Sequence, residues 1–492
     1  MSQRTLLLGL DVGTSGCKAA LYALDGEVVA LASAPLRTER PHPGYVEQDP
    51  DEIWSAAADA IRAAIRQTDV QPAEVLGVGV CGHSPTLILL DAAGRPARPA
   101  ILWQDTRAGA EARELAAALG PRWAELLGAH FPVTPSFAPA RLLWIRRHEP
   151  EALSRARRAI ETKDYVNYRL TGVVASDHWS SKGLAHLVTG RLVPAWPDLL
   201  GIHADLVPEL AEPHRAIGEV TPKAAAELGL RVGTPVAAGW TDGLASMVGT
   251  GTFVGGGLGY FVSGTSDTIG TVVSGAPTGD RRLFEVPAPA GRRVVMGPNQ
   301  CGGASLAWFA DRFLGGDVSR ALELAATAPP GAGGLVFLPY LEGERTPIWD
   351  ERARGVFFGL TTAHGPAELA RAILEGVAAS DRHIVETIEE VAGVAIERLR
   401  TAGGASGGFW GQVKADMLGR PLEATSEQPG TLGSAILAGV AAAVWPDVDA
   451  ATRAVVAVSS RIEPNPGLRS TCDDVYQTYR ALYPRLKDLW GS

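Results

Sequence analysis

Two short turns carry the groups best suited to hold phosphate. Asp11-Val-Gly-Thr14-Ser15-Gly closes an apolar run near the start, and Ser263-Gly264-Thr265-Ser266 stands half a chain away. Glycine lets backbone N–H groups come close to phosphate oxygens, and the hydroxyls of Thr14, Ser15 and Thr265 add donors. A single glycine-rich turn after a strand is more often only a tight hairpin, so the repetition is what makes the pair a candidate nucleotide grip. Asp11, beside the first turn, reads either as a turn-capping carboxylate or as a partner for a magnesium ion that bridges transferred phosphates. Lys18 reads equally well as a phosphate contact and as a solvent-facing residue.

Elements must bring these groups to bear. The first thirty residues read as three strands, with 5–10 apolar, 18–24 alternating up to the Asp25-Gly26 turn, and 27–32 returning. The same cadence recurs at 257–262, the Ser263–Ser266 turn and 268–273, which suggests a duplicated domain. Between them, 51–67 follows Pro50 and sets Ile53, Trp54, Ala57, Ile61 and Ile65 along one helical face. Strands are expected at 76–81, 86–91 and 398–402. Helices are expected at 366–391, with Leu369, Ile373, Val377, Ile384 and Ile388 in a stripe, and at 434–445. Strands alternating with helices in both halves predict an α/β fold. The division falls near 245–257, giving domains over 1–248 and 249–492.

Composition excludes several classes. A chain of 492 residues with 46% hydrophobic and 20% charged residues can bury two full cores, so neither disorder nor a fibrous repeat fits. The net charge of -9, without a dense run of Lys and Arg, argues against nucleic acid as a partner. Cysteines 17, 81, 301 and 472 stand too far apart in sequence to suggest a zinc motif or a disulfide framework. No apolar stretch reaches the roughly 20 residues that span a bilayer, and the N-terminus lacks a secretory pattern. A cytoplasmic setting, with no membrane contact, is expected.

Larger motifs carry a family resemblance. Leu10–Lys18 resembles the first phosphate motif of the FGGY carbohydrate kinases, of the actin/hexokinase-like superfamily. Gly355-Val-Phe357-Phe-Gly359-Leu360 with Glu368 and Glu375 resembles their C-terminal signature, and Phe337–Pro347 the segment before it. Pro43–Pro50, Ile101–Arg107 and Lys163-Asp164-Tyr165 resemble xylulokinase-type members. The likeness runs in order from about residue 5 to about 445.

The resemblance implies two duplicated ribonuclease-H-like domains with an interdomain cleft that closes on substrate, ATP and Mg2+ as cofactors, and a sugar substrate. No macromolecular partner is implied, and a homodimer stays open. It assigns the catalytic base to Asp242 in Ala237-Ala-Gly-Trp-Thr-Asp242-Gly, where a carboxylate can take the sugar hydroxyl proton during in-line attack. The plain alternative is a helix cap. It favours metal binding, direct or through water, for Asp11 and Asp242. It matches Gly303 and Gly404 to nucleoside-lining glycines, and puts Gly408 where some relatives have asparagine.

At the sugar the pattern departs. Xylulokinases resemble Gly-Gln-Met-His-Gly where this chain reads Gly82-His83-Ser84-Pro85-Thr86, and glycerol kinases place an arginine-glutamate pair at the third and fourth positions. Ser84 offers a short hydroxyl and Pro85 no side-chain hydrogen bond. His83 could reach the sugar instead, with Trp103 and Asp105 as further candidates and Asp177 only flanking. The leading expectation is phosphorylation of D-xylulose. Ribulose, another ketose or a small polyol is the alternative substrate. An actin-like ATPase and a sugar-sensing pseudokinase are the non-kinase alternatives.

Overall fold

The computed structural model describes residues 5–120, 122–129, 131–181, 183–402 and 407–491. The chain forms two compact units. The first takes in the described residues of Met1–Val254, Val286–Gly291 and Gln428–Ala457, and the second those of Gly255–Glu285, Arg292–Glu427 and Val458–Ser492. The chain therefore returns to its first unit late, after the second has largely been built.

In the first unit a mixed sheet runs in the order Ala216–Glu219, Pro235–Ala237, Val75–Gly82, Leu6–Val12, Gly16–Ala23, Val28–Pro35. The last three form an antiparallel meander, and Leu6–Val12 lies parallel to Val75–Gly82. Trp240–Thr241 also pairs in parallel with Val75–Gly82. The second unit repeats this plan. Its sheet includes, in order, Arg292–Pro298, Asp267–Ser274, Leu258–Ser263, Arg398–Ala402, Leu422–Ala424 and Ser460–Ile462, again with two antiparallel pairs, then two parallel pairs and a closing antiparallel pair. Each unit so carries its candidate phosphate turn at the first hairpin of an equivalent sheet, in keeping with the repeated cadence in the sequence.

Side-chain alternation fills the cores. Leu6, Leu8, Leu10 and Val12 pack with Ile53, Trp54, Ala57 and Ile61 of the Pro50–Arg66 helix, all buried. In the second unit Ile373 and Val377 of the Pro366–Ala392 helix join Phe309 and Phe337, while Ile384 and Ile388 join Phe261, Ile269 and Leu399. Each Leu, Ile, Val or Phe among them contributes on the order of 2 kcal/mol when fully buried.

The helix expected at 434–445 runs instead over Pro429–Ala441. Pro429 suits a first helical turn, where its missing N–H has no partner to lose. Its placement in the first unit depends on glycine. A Cβ on Gly9 would lie 1.9 Å from the Thr431 carbonyl oxygen and one on Gly79 1.9 Å from that of Ser434, so bare backbone lets the helix sit against the two central strands. Gly433 makes the same close approach to the Asp242–Gly249 helix, 1.8 Å from the Ala245 oxygen for a Cβ there.

Candidate active site

Three strand ends in the first unit converge on the candidate groups. Asp11 pairs with Cys81 and Val12 with Gly82, while Trp240 and Thr241 pair with Cys81 and Gly82 from the other side. Asp11, His83 and Asp242 therefore emerge at the carboxyl ends of neighbouring strands, where open α/β sheets bind ligands. Asp242 is the first residue of its helix, with Thr241 at the cap position, and its Oδ1 accepts the Gly243 N–H at 2.7 Å. It thus sits at the helix start without being the capping residue.

Asp11 is half-buried. Burial pushes its carboxyl up, and the Cys81 thiol and the Lys18 charge draw it back. Cys81 Sγ lies 3.5 Å from Asp11 Oδ1 and 3.5 Å from the Gly430 carbonyl oxygen. Burial, then Asp11, and more weakly Asp242, drive that thiol well above its usual range, so the group beside Asp11 is neutral. A Cβ on Gly430 would come within 2.8 Å of Asp11 Oδ2, so glycine keeps this side of the carboxylate clear. Lys18 is exposed and donates to Gln428 Oε1 at 3.3 Å.

The first turn is braced from behind. The Thr14 carbonyl accepts Gln48 Nε2 at 2.8 Å and Thr38 Oγ1 at 3.2 Å, and Gly13 N–H closes on Gly16 O at 3.0 Å. Ser15 is exposed, and its carbonyl accepts the Leu36 N–H. Trp103 Nε1 donates to Thr14 Oγ1 at 3.1 Å, yet the indole is 45% exposed, so it is no core residue. The structure thus brings Trp103, expected at the sugar, onto Thr14, expected at phosphate.

His83 is buried, and its Nδ1 lies 2.9 Å from Thr86 Oγ1 while Nε2 has no partner. Burial and the nearby Arg141 charge push its value down to about 4, so the ring is neutral at physiological pH. Ser84 is half-buried beside it. Asp105 is engaged elsewhere. Its oxygens accept the Val46 N–H at 2.6 Å, the Arg107 N–H at 3.0 Å, and the Arg107 side chain at Nη2 at 2.7 Å. A direct sugar contact from Asp105 would have to share that carboxylate with Arg107. Asp177 is likewise buried, paired with Lys163 at 2.9 Å.

Sequence reasoning gave no role to several residues that shape this region. Gln48 is one, although it lies in a quoted motif. Arg141 is another. Its buried guanidinium donates to the carbonyls of Pro85, Ile101 and Leu102, tying the His83–Thr86 segment to the one bearing Trp103. Nothing local in the sequence marks such long-range pairs; the signal available was a basic residue within a largely apolar helical stretch.

In the second unit Gly264 and Thr265 are exposed. Gly303 N–H donates to Gly264 O at 2.8 Å and Ala304 N–H to Thr265 O at 3.0 Å. A Cβ on Gly303 would approach Gly264 O to 2.5 Å, so this glycine lets the Gly303–Phe313 helix press its start against the turn. Beneath the turn lies a buried ion cluster. Asp267 accepts Lys414 Nζ at 2.5 Å and Ser263 Oγ at 2.7 Å, and Lys414 reaches Asp381 at 3.4 Å. Burial would strip the Lys414 proton, but Asp267 and Asp381 outweigh it and hold the ammonium. Gly408 opens the Gly408–Leu418 helix with a left-handed φ of 59°, and a Cβ there would meet nothing within 4 Å. Gly404 lies outside the described residues. Among the described residues, no group of three or more His, Cys, Asp or Glu is placed to hold a metal ion, and no helix is long and apolar enough to cross a membrane.

Comparison with known proteins agrees with this geometry. Residues 6–249 match the N-terminal domain of the FGGY family of carbohydrate kinases, and residues 259–442 match its C-terminal domain. The chain is 35% identical to the xylulose kinase of Escherichia coli, over 89% of this chain and 90% of that protein. It is 30% identical to the glycerol kinase of Citrifermentans bemidjiense, over 93% and 94%. The crystal structure of a xyloylose kinase from Brucella ovis superposes with a TM-score of 0.89 at 33% identity, covering 98% of this chain and all of that one. The chain belongs to the FGGY family of carbohydrate kinases, ATP-dependent phosphotransferases built on a two-domain actin/hexokinase-like fold.

Proposed function

We propose that the chain phosphorylates a ketopentose, D-xylulose, to D-xylulose 5-phosphate at the expense of ATP, with Asp242 as general base. The observation that carries the reading is the placement of Asp242 at a helix start that follows a strand end, on a strand neighbouring those that lead to Asp11 and His83. There its carboxylate can accept the proton of the attacking hydroxyl. Thr14 and Ser15 in the first unit, and Gly264 and Thr265 in the second, serve phosphate groups; Gly303 backs the second turn, and Gly404 and Gly408 serve the nucleoside. Trp103 offers an exposed aromatic face to the sugar, with His83 and Ser84 reading hydroxyls and Asp105 holding their surroundings through Arg107.

Asp11 and Asp242 suit a magnesium ion by donor chemistry, since both are carboxylates at strand ends and burial disfavours the charge on Asp11. A bound ion would neutralise charge developing on the transferred phosphoryl group. The cytoplasm, where ATP and a reducing environment coincide, is the proposed setting for this chain with its four free, buried cysteines.

A second reading, phosphorylation of ribulose or a small polyol, draws on Ser84 and Pro85, which present one short hydroxyl where xylulokinases carry Met-His. A coupled ADP-release assay over D-xylulose, D-ribulose, L-ribulose, glycerol and gluconate separates the two. D-Xylulose giving the highest kcat/KM supports the first reading; another substrate exceeding it tenfold replaces it.

A further inference from the structure

We infer that Asn167 and Lys163 are positioning residues for Asp242, acting through a β-bulge at Ala238–Gly239. The inference rests on the proposed role of Asp242 and adds the device that aims it. Val236 faces Val78, but Trp240 faces Cys81 and Thr241 faces Gly82. The strand takes one residue more between these points than its neighbour does. Side chains alternate at each step, so one inserted residue turns everything that follows to the other face of the sheet. The entry to the Asp242 helix is set by that turn.

A bulge leaves backbone groups without ladder partners, and they must be satisfied elsewhere. Here the Ala238 carbonyl accepts Asn167 Nδ2 at 2.9 Å and Lys163 Nζ at 3.3 Å, and the Ala237 carbonyl accepts the same amide at 3.3 Å. The N–H groups of Ala238 and Gly239 donate to Arg215 O and Pro213 O, each at 2.9 Å. Gly239 has a φ of 73°, and a Cβ there would strike the Val80 oxygen at 2.0 Å, so the bulge closes only on glycine.

The two side chains reach the bulge from the Thr162–Thr171 helix, and both are buried. Lys163 is fixed by Asp164 at 2.5 Å and Asp177 at 2.9 Å, and Ser176 Oγ donates to Asp164 at 2.6 Å. Burial alone would release the Lys163 proton, and the two carboxylates outweigh it. A buried ion cluster of this kind adds little net stability over apolar packing. What it adds here is direction, because a held ammonium and a held amide fix where the bulge carbonyls point. This gives a task to Lys163-Asp164 and to Asp177, which no phosphate or sugar role absorbs.

The test is Asn167→Leu, with Asn167→Ser as the smaller change if the leucine variant does not fold, assayed with D-xylulose and ATP beside Asp242→Asn. A misaimed base lowers kcat about tenfold or more, with the KM for ATP within about twofold of native and the melting temperature little changed. Native kcat in a folded Asn167 variant, while Asp242→Asn is inactive, overturns the positioning role and leaves the base intact. A parallel loss of ATP affinity and thermal stability also overturns it, since that is general damage. Native turnover in Asp242→Asn removes the base assignment itself, and the positioning role with it.

Discussion

Proton transfer from a sugar hydroxyl asks for a carboxylate that is ionised and correctly aimed, and as the proposed base Asp242 has to meet both demands. Asp242→Asn keeps the shape and removes the basic oxygen. Turnover should fall by roughly 10²–10⁴-fold, the usual span for a general base, with the KM for ATP little altered, as steady-state kinetics would show. Beside Asp11 lies the Cys81 thiol, which burial and the charges of Asp11 and, more weakly, Asp242 hold in its neutral form. Burial also raises Cys17 to about 12 and Cys472 to about 11, and raises Cys301. A thiol reagent at pH 8 should therefore modify none of the four cysteines in the native protein and all four after denaturation; fast labelling of the folded chain would contradict this burial. At this scale the sequence offered as candidates groups whose residue type states their chemistry, such as Asp11, Thr14 and Trp103. It did not reveal Gln48 or Asn167, because their importance lies in a partner 34 or about 70 residues away.

Glycine decides how closely the elements around these groups can pack. Gly9, Gly79 and Gly433 let the Pro429–Ala441 helix lie against two strands and against the helix that begins at Asp242. Gly433→Val places atoms where the Ala245 carbonyl already lies. The change should cost roughly 1–3 kcal/mol or more through overpacking, lowering the melting temperature and shifting the Asp242 helix, so kcat should drop along with stability. Unchanged thermal unfolding would show that the two helices have room to spare. The strands expected from periodicity and the two long amphipathic helices lie within three residues of their expected bounds, while strands such as Ala216–Glu219 and Leu422–Ala424 carry too few residues to show a pattern. The start of the Pro429–Ala441 helix was not, because Pro-Gly reads locally as a break, and its run of Gly, Ala and Ser shows no stripe. Those small residues answer a packing demand from distant strands, which periodicity does not encode.

Across the whole chain, the duplicated sheet plan was visible as two strand–turn–strand cadences. The return of residues 428–457 to the first unit was not, since compactness depends on contacts hundreds of positions apart. Global stability carries a pH dependence from the second unit. Burial raises Glu344 from 4.5 to about 7, against the pull of the Gln300 and Arg345 N–H groups. The folded protein then holds a proton there that the unfolded chain releases. This contribution is full below about pH 4.5, is lost as pH rises to about 7, and is level above that. Relative to native, Glu344→Gln should gain roughly 3 kcal/mol of unfolding free energy across that window and no more beyond it. Parallel denaturation curves at pH 5 and pH 8 would refute the shift. The chain's activity as a whole is tested most directly by following ATP and D-xylulose by 31P NMR with native protein and with Asp242→Asn. The proposed function requires a pentulose 5-phosphate resonance to grow in step with ADP in the native sample and to be nearly absent in the variant. Release of ADP and inorganic phosphate without a sugar phosphate, or equal product from both proteins, would be incompatible with it.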